Sequence, residues 1–234
     1  SRIDDAVIKL LIRLLEGSGI KGATVNRYLA TIKTLLRHHR QPWEHIQLKK
    51  ESKGRIRVIS REEEATVVNL LRTTEHNSRR YHFPEVADLV EVLVDTGCRL
   101  SEVLDLRYDD INFETNLISI WINKGDKPRS IPMTVRVGTI LQTRSINKAS
   151  KPFSIDRDQA ENAWTWVRKT MGLSGDKEFV LHALRHTTAT RLIDKGIDLY
   201  TVKEWLGHST IQVTERYAHL NPDKLVHAAT VLEL

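Results

Sequence analysis

Residues 182–217 read HALRHTTATRLIDKGIDLYTVKEWLGHSTIQVTERY. Their spacing predicts helices near 182–195, 199–206 and 210–217. His182 and Arg185 lie three apart, on one helical face. His186 points elsewhere by that spacing, and reads as a packed or capping histidine as readily as a ligand. His208 follows Gly207, a helix stop, and so sits on a tight turn. Tyr217 lies nine residues further on, on a polar helix among Thr214, Glu215 and Arg216. Basic and imidazole groups converging on one tyrosine are what phosphoryl transfer to a tyrosine nucleophile requires. An exposed tyrosine is commonplace, so the stretch gains meaning only if the rest of the chain completes the site.

Upstream, the hydrophobic period changes from helical to alternating. Residues 117–122 and 129–133 flank Asn123-Lys124-Gly125-Asp126-Lys127-Pro128, the pattern of a β-hairpin with a basic tip, and 110–113 supplies a strand before it. Lys124 starts the turn. A lysine held there can protonate a leaving alkoxide, or it is simply solvated, and Lys127 and Arg129 compete for the same role. Arg99 lies in Thr96-Gly97-Cys98-Arg99-Leu100-Ser101-Glu102, between a helix that ends at Gly97 and a short helix over 100–106. It either grips a phosphate with its two-pronged guanidinium or pairs with Glu102 or Asp105. Ser60 and Glu63 have capping-box spacing and open a helix to about 72, and Pro84 and Pro222 suit first turns of helices running to Asp95 and over 222–230. With helices near 134–143 and 157–171, the fold class is mainly α with a small antiparallel β-sheet, α+β.

Further toward the N-terminus, helices are expected over about 3–15 and 23–38, too little for an independent core. Residues 1–57 hold thirteen Lys/Arg and five Asp/Glu, a net of +8, against +6 for all 234 residues. All the excess positive charge therefore lies in this first quarter, as in a surface that contacts phosphates, or in a solvated helix face. Candidate DNA-contacting residues are Arg27, Lys33, Arg37, Arg40, Lys49, Lys50, Lys53, Arg55 and Arg57. The expected organisation is a partial helical domain over 1–48, a polar basic linker over 49–59, and a main domain over 60–234 with a tail from about 221. The chain opens at Ser1 without a methionine and reads as a fragment or processed product. No apolar run reaches membrane length, no signal peptide opens the chain, and the single cysteine, Cys98, fits a reducing cytoplasm. No HExxH, Cys/His ligand cluster or Gly-rich nucleotide loop occurs, so neither metal nor cofactor is expected.

Taken together, Gly97–Glu102, Lys124, His182-Ala183-Leu184-Arg185-His186, Leu206-Gly207-His208 and Tyr217 closely resemble, in order and spacing, the catalytic domain of the tyrosine recombinase (phage integrase) family, over roughly 60–220. Residues 20–40 resemble the last helix of that family's core-binding domain, which here is truncated. The resemblance implies a tyrosine recombinase catalytic-domain fold and a set of roles. Tyr217 would be the nucleophile, forming a 3′-phosphotyrosyl link. Arg99 and Arg185 would clamp the phosphate, and Lys124 would protonate the leaving oxygen. His182 would act as general base and His208 would hydrogen-bond the phosphate, with Glu102 orienting the site from behind. It further implies double-stranded DNA as partner, a homo-tetramer on two duplexes, accessory DNA-bending proteins, and no metal or ATP. A type IB topoisomerase-like activity and a non-catalytic DNA-binding relative are the alternatives.

Overall fold

The computed structural model describes residues 4–50, 56–74, 82–121, 128–147 and 149–217. The chain divides into two compact units, Ser1–Arg55 and Ile56–Leu234.

In the first unit, α1 (Asp5–Gly17) and α2 (Gly22–His38) form a helical pair. Asp4 caps α1 by accepting from the Val7 N–H at 3.0 Å. Ile8, Val25, Leu29, Leu36 and Ile46 make a small buried core. The segment after α2 folds back: the Asn26 side chain donates to the Lys49 carbonyl at 2.8 Å and accepts from its N–H at 2.7 Å. Of the expected linker, Lys49 is therefore anchored within the first unit and residues 51–55 lie outside the described residues. Ile59 is buried in the second unit, because an isoleucine placed there removes apolar area from water.

The second unit is built around α4 (Phe83–Thr96). Its sequence, FPEVADLVEVLVDT, is apolar on nearly every side, and such a helix is stable only when surrounded. It packs against α3 (Arg61–Thr73), α6 (Val135–Ser145), α7 (Arg157–Thr170) and α8 (His182–Asp194). Val86, Leu89, Val90 and Leu93 are all buried. Truncating Leu93 to alanine is expected to cost roughly 2–5 kcal/mol. The capping box that starts α3 forms as its spacing predicts: the Ser60 hydroxyl accepts from the Glu63 N–H at 3.1 Å and the Ser60 N–H donates to Glu63 at 2.9 Å.

Strands β1 (Ile111–Asn112), β2 (Leu117–Ile120) and β3 (Arg129–Pro132) form an antiparallel sheet in chain order, with Ile118 opposite both Ile111 and Ile131. The first strand is shorter than the expected 110–113. The Asp110 carboxylate holds the Arg107 N–H at 3.0 Å in a 3-10 turn, and the Asn112 side chain turns the chain again by accepting from Glu114 and Thr115. These side-chain bonds compete with strand pairing at both ends. Beyond α8 come α9 (Leu199–Leu206) and α10 (Ile211–Glu215). The last helix stops before Tyr217, a correction to the expected span of 210–217. The expected helix over 222–230 and the tail lie outside the described residues.

A polar seam joins α3, α4, α6 and α8. Buried Glu64 accepts from Arg136 at 2.9 Å and Arg191 at 2.6 Å, while Arg136 also meets Asp95 at 2.5 Å and Arg72 bridges Asp88 and Glu91. Each of these carboxylates, of which Glu64 and Glu91 are buried, has a guanidinium against it, the condition for carrying charge into an interior.

Candidate active site

Two helix ends and one helix start assemble the site. Helix α4 stops at Gly97, whose φ of 67° is left-handed and whose position leaves no room for a side chain: a Cβ there would sit 2.6 Å from Leu206 Cδ2. Helix α9 stops at Gly207, with φ of 70°. The Gly97 carbonyl and the Leu206 carbonyl at these two ends both accept from Arg185, at 2.7 Å each. Arg185 is 3% exposed, and two helix C-termini supply the partial negative charge that holds it there. Burial, with the Arg99 charge nearby, lowers its pKa to about 10, so it stays cationic at neutral pH. The carbonyls take one hydrogen bond from each terminal nitrogen without neutralising the charge.

Arg99 stands where the chain leaves Gly97 and begins α5 (Leu100–Asp105). Glu102 accepts from its backbone N–H at 2.7 Å and from its guanidinium at 2.9 Å. Pairing with Glu102 and presentation at a helix start are thus both realised, whereas the sequence posed them as alternatives. Arg99 retains a third of its side-chain exposure, and Glu102 is 1% exposed. Burial opposes ionisation of Glu102, but hydrogen bonds and charge from Arg129 and then Arg99 hold its carboxyl below the usual range.

Tyr217 is buried although the residues beside it in sequence are polar. It follows α10 on a turn and is 2% exposed, packed with Ala189, Ile193, Val202 and Leu206. Its hydroxyl meets His186 Nδ1 at 2.6 Å. Burial raises the phenol pKa, opposed by the charges of Arg185 and Arg216. The sequence leaves His186 open between a packed residue and a ligand, and its ring lies edge-on to His182 at 4.8 Å between centroids. The signal was available: residues 182 and 186 are four apart, neighbours on a helix as surely as 182 and 185. Burial, then the neighbouring His182, Arg216 and Arg185, lower the His186 pKa to about 4. His182 keeps a solvent-facing side, and partial burial with the Arg185 and Arg99 charges holds it below the usual imidazole value. His208 is buried with Nδ1 2.8 Å from the Thr214 hydroxyl, and burial beside Arg185, Arg99 and Arg129 takes its pKa to about 3. All three imidazoles are therefore neutral at pH 7 in this state.

Arg129 was expected only as a competitor for the hairpin lysine. It shares the inward face of β3 with Ile131, two residues on, and its side chain is 8% exposed. Lys124 itself lies outside the described residues, as do Lys53 and Arg55. Of the expected basic surface, Arg27, Arg37, Arg40 and Lys50 are exposed. Lys33 and Arg37 lie over the Trp43 ring at 4.9 and 4.4 Å, and Lys49 pairs with Glu16. Arg57, expected among the DNA-contacting residues, has its guanidinium engaged by Glu63 and, at 2.8 Å, by Asp176. Those pairs raise its pKa, and a guanidinium so held is occupied by protein carboxylates. A cavity of about 430 Å3 opens beside Arg99 and His182, walled by Ser101, Trp164 and Arg168. Among the described residues, no group of three His, Cys, Asp or Glu side chains is placed to hold a metal ion.

The fold is that of tyrosine recombinase catalytic domains. The Tn1549 transposon integrase, in complex with transposon right-end DNA, superposes with a TM-score of 0.78 at 19% identity over 99% of this chain and 86% of that one. The XerH recombinase bound to palindromic difH substrate gives 0.77 at 22% identity, over 99% and 73%. Residues 57–224 match the Phage integrase family, and the chain belongs to that family. Tyrosine recombinase XerD of Corynebacterium glutamicum is 33% identical over 150 residues, 58% of this chain and 49% of that protein. XerD of Listeria monocytogenes is 27% identical over 228 residues, 88% and 75%. The chain spans about half the length of the C. glutamicum and Lacticaseibacillus casei XerD proteins it matches.

Proposed function

We propose that this chain is the strand-cleaving part of a site-specific DNA recombinase of the integrase type. The Tyr217 oxygen attacks a DNA phosphodiester, and the bond from phosphorus to the 5′-oxygen breaks. The products are a 3′-phosphotyrosyl ester and a 5′-hydroxyl. The leaving oxygen takes its proton from Lys124, and the phenolic proton passes to the His182–His186 pair, of which His186 already meets the hydroxyl. Arg99 and Arg185 neutralise the charge that grows on the non-bridging oxygens, with His208 as a further donor. The ester keeps the energy of the broken bond, so the reverse attack rejoins a strand without ATP.

The observation that carries this reading is Arg185. It is a buried cation held by two helix-end carbonyls. An anion is the natural complement of that charge, and Tyr217, whose pKa feels Arg185, stands beside it. The exposed Arg27, Arg37, Arg40 and Lys50 supply a surface for DNA phosphates. On the same reading the partner is double-stranded DNA in the cytoplasm, and the working unit is a homo-tetramer on two duplexes, with accessory DNA-bending proteins. The DNA in the XerH and Tn1549 integrase structures supports the first of these.

The test begins with selection of cleaved sites from random DNA. A nicked suicide duplex carrying the selected site should trap a covalent adduct with the wild-type protein and none with Tyr217→Phe. An absent wild-type adduct removes the catalytic reading. Formation and resolution of a Holliday junction then separates a recombinase from a type IB topoisomerase, which relaxes supercoils instead.

A further inference from the structure

Three elements of the site meet at one side chain that no role above uses. The Arg129 guanidinium donates to both oxygens of Glu102, at 3.1 and 2.7 Å, and its Nε donates to the Trp205 carbonyl at 3.1 Å. Glu102 in turn holds the backbone and side chain of Arg99. Trp205 lies two residues before the Gly207 stop, and its indole N–H donates to the Thr96 carbonyl at 2.8 Å, just ahead of Gly97. Gly207 has no side chain where Arg129 passes: a Cβ there would lie 2.8 Å from Arg129 Nη1. The loop that delivers His208 therefore closes directly over this guanidinium.

We infer that Arg129 is a positioning residue for strand cleavage, fixing Glu102 so that Arg99 meets the scissile phosphate, and locking the Leu206-Gly207-His208 turn to the sheet. The inference rests on the recombinase reading of the site. A carboxylate with two guanidiniums on it grips neither as tightly as it would grip one alone. With Arg129 bound across both Glu102 oxygens, Arg99 is oriented by the carboxylate yet keeps an exposed side for a phosphate. Without Arg129, Glu102 would be a buried anion set against Arg99, and Arg99 would be drawn inward. Burial pushes the Glu102 carboxyl up and Arg129 does most to bring it below its usual range, which agrees with this division of labour. The pairing is bidentate and planar, so lysine does not replace it.

The test is single-turnover cleavage of the selected suicide duplex at saturating enzyme, with either a phosphodiester or a neutral methylphosphonate at the scissile position. Arg129→Gln should slow cleavage of the diester about 100-fold, the size of loss expected when one oxyanion donor is misplaced, while DNA affinity stays unchanged. The methylphosphonate lacks the charge that Arg99 serves, so the defect should shrink on it to about tenfold or less. Glu102→Gln added to Arg129→Gln should recover about tenfold on the diester, because it removes the anion that pulls Arg99 inward. Arg129→Lys, which keeps a buried cation and preserves the fold if Arg129→Gln does not, should show the same selective loss in milder form. Wild-type rates in these variants, or equal defects on the two substrates, overturn the inference. An absent wild-type Tyr217 adduct would instead overturn the recombinase reading on which it stands.

Discussion

Helix α8 carries two arginines six residues apart, and the helix treats them in opposite ways. Arg191 donates to Glu64 at 2.6 Å and to the Ile59 carbonyl at 3.2 Å, inside a seam where guanidiniums and carboxylates alternate across α3, α4, α6 and α8. Arg185 is the more deeply buried, yet it is met by the Gly97 and Leu206 carbonyls. The seam neutralises charge where it lies and so serves cohesion. The Arg185 end is held by neutral carbonyls, which on the proposed reading leaves its charge for an anionic ligand. Burial alone does not separate the two. The kind of acceptor does, carboxylate in one case and carbonyl in the other.

Substitutions at the two arginines give the sharpest way to break this comparison. Arg185→Ala should lower single-turnover cleavage about 1000-fold, and Arg185→Lys should not restore it, since lysine cannot reach both carbonyls and the phosphate. Arg191→Ala should instead cost roughly 3 kcal/mol of stability in a urea melt, because Glu64 loses a partner, while the folded fraction cleaves at close to the normal rate. A cleavage defect confined to Arg191→Ala would reverse the assignment of the two ends.

A smaller effect follows from acid. The folded pKa values of His208 and His186, about 3 and about 4, lie below the ordinary imidazole value. As pH falls below about 6.5 the unfolded chain therefore binds protons that the folded chain refuses, and stability, complete above pH 7, declines toward pH 4. Between pH 7 and 5 the two together should remove up to about 4 kcal/mol in urea melts. His208→Asn should flatten that slope, and an unchanged slope would mean that the site tolerates added positive charge without DNA. His186→Ala should slow adduct formation about 10- to 100-fold, and a wild-type rate would leave the proton to His182 alone. The smallest effect belongs to the first unit. Arg37→Ala with Arg40→Ala should lower the salt dependence of DNA binding by about 0.9 per lost phosphate contact without altering the cleavage rate at saturation.

Much of the helical framework was legible because it rests on local rules. The Ser60–Glu63 capping box, the Pro84 start, the stops at Gly97 and Gly207 and the hairpin alternation all describe interactions within a few residues. Distant packing lies behind some of the differences and unread local spacing behind the others. Tyr217 looked exposed because Thr214, Glu215 and Arg216 beside it are polar, but the cluster that buries it comes from Ala189, Ile193, Val202 and Leu206. His186 looked peripheral because it was measured against Arg185 and not against His182. Arg57 looked like a phosphate contact because its local run is basic, and Asp176, which engages it, lies 119 residues away. Arg129 was read as a competitor for the role of Lys124, although its alternation with Ile131 along the strand turns it inward.

By itself the sequence determined the chemical inventory: which cations, imidazoles and hydroxyl this chain can bring to a phosphate, and the helices and hairpin that carry them. Their order and spacing were enough to place the chain with the tyrosine recombinases. Only the tertiary structure decided how each charge is met, since a guanidinium's partner is chosen by packing. Arg185 finds two helix ends that converge from residues 88 positions before it and 21 after it, and Arg129 reaches Glu102 across 27 residues. Electrostatic free energy depends on distance and burial in space, and neither is encoded by separation along the chain.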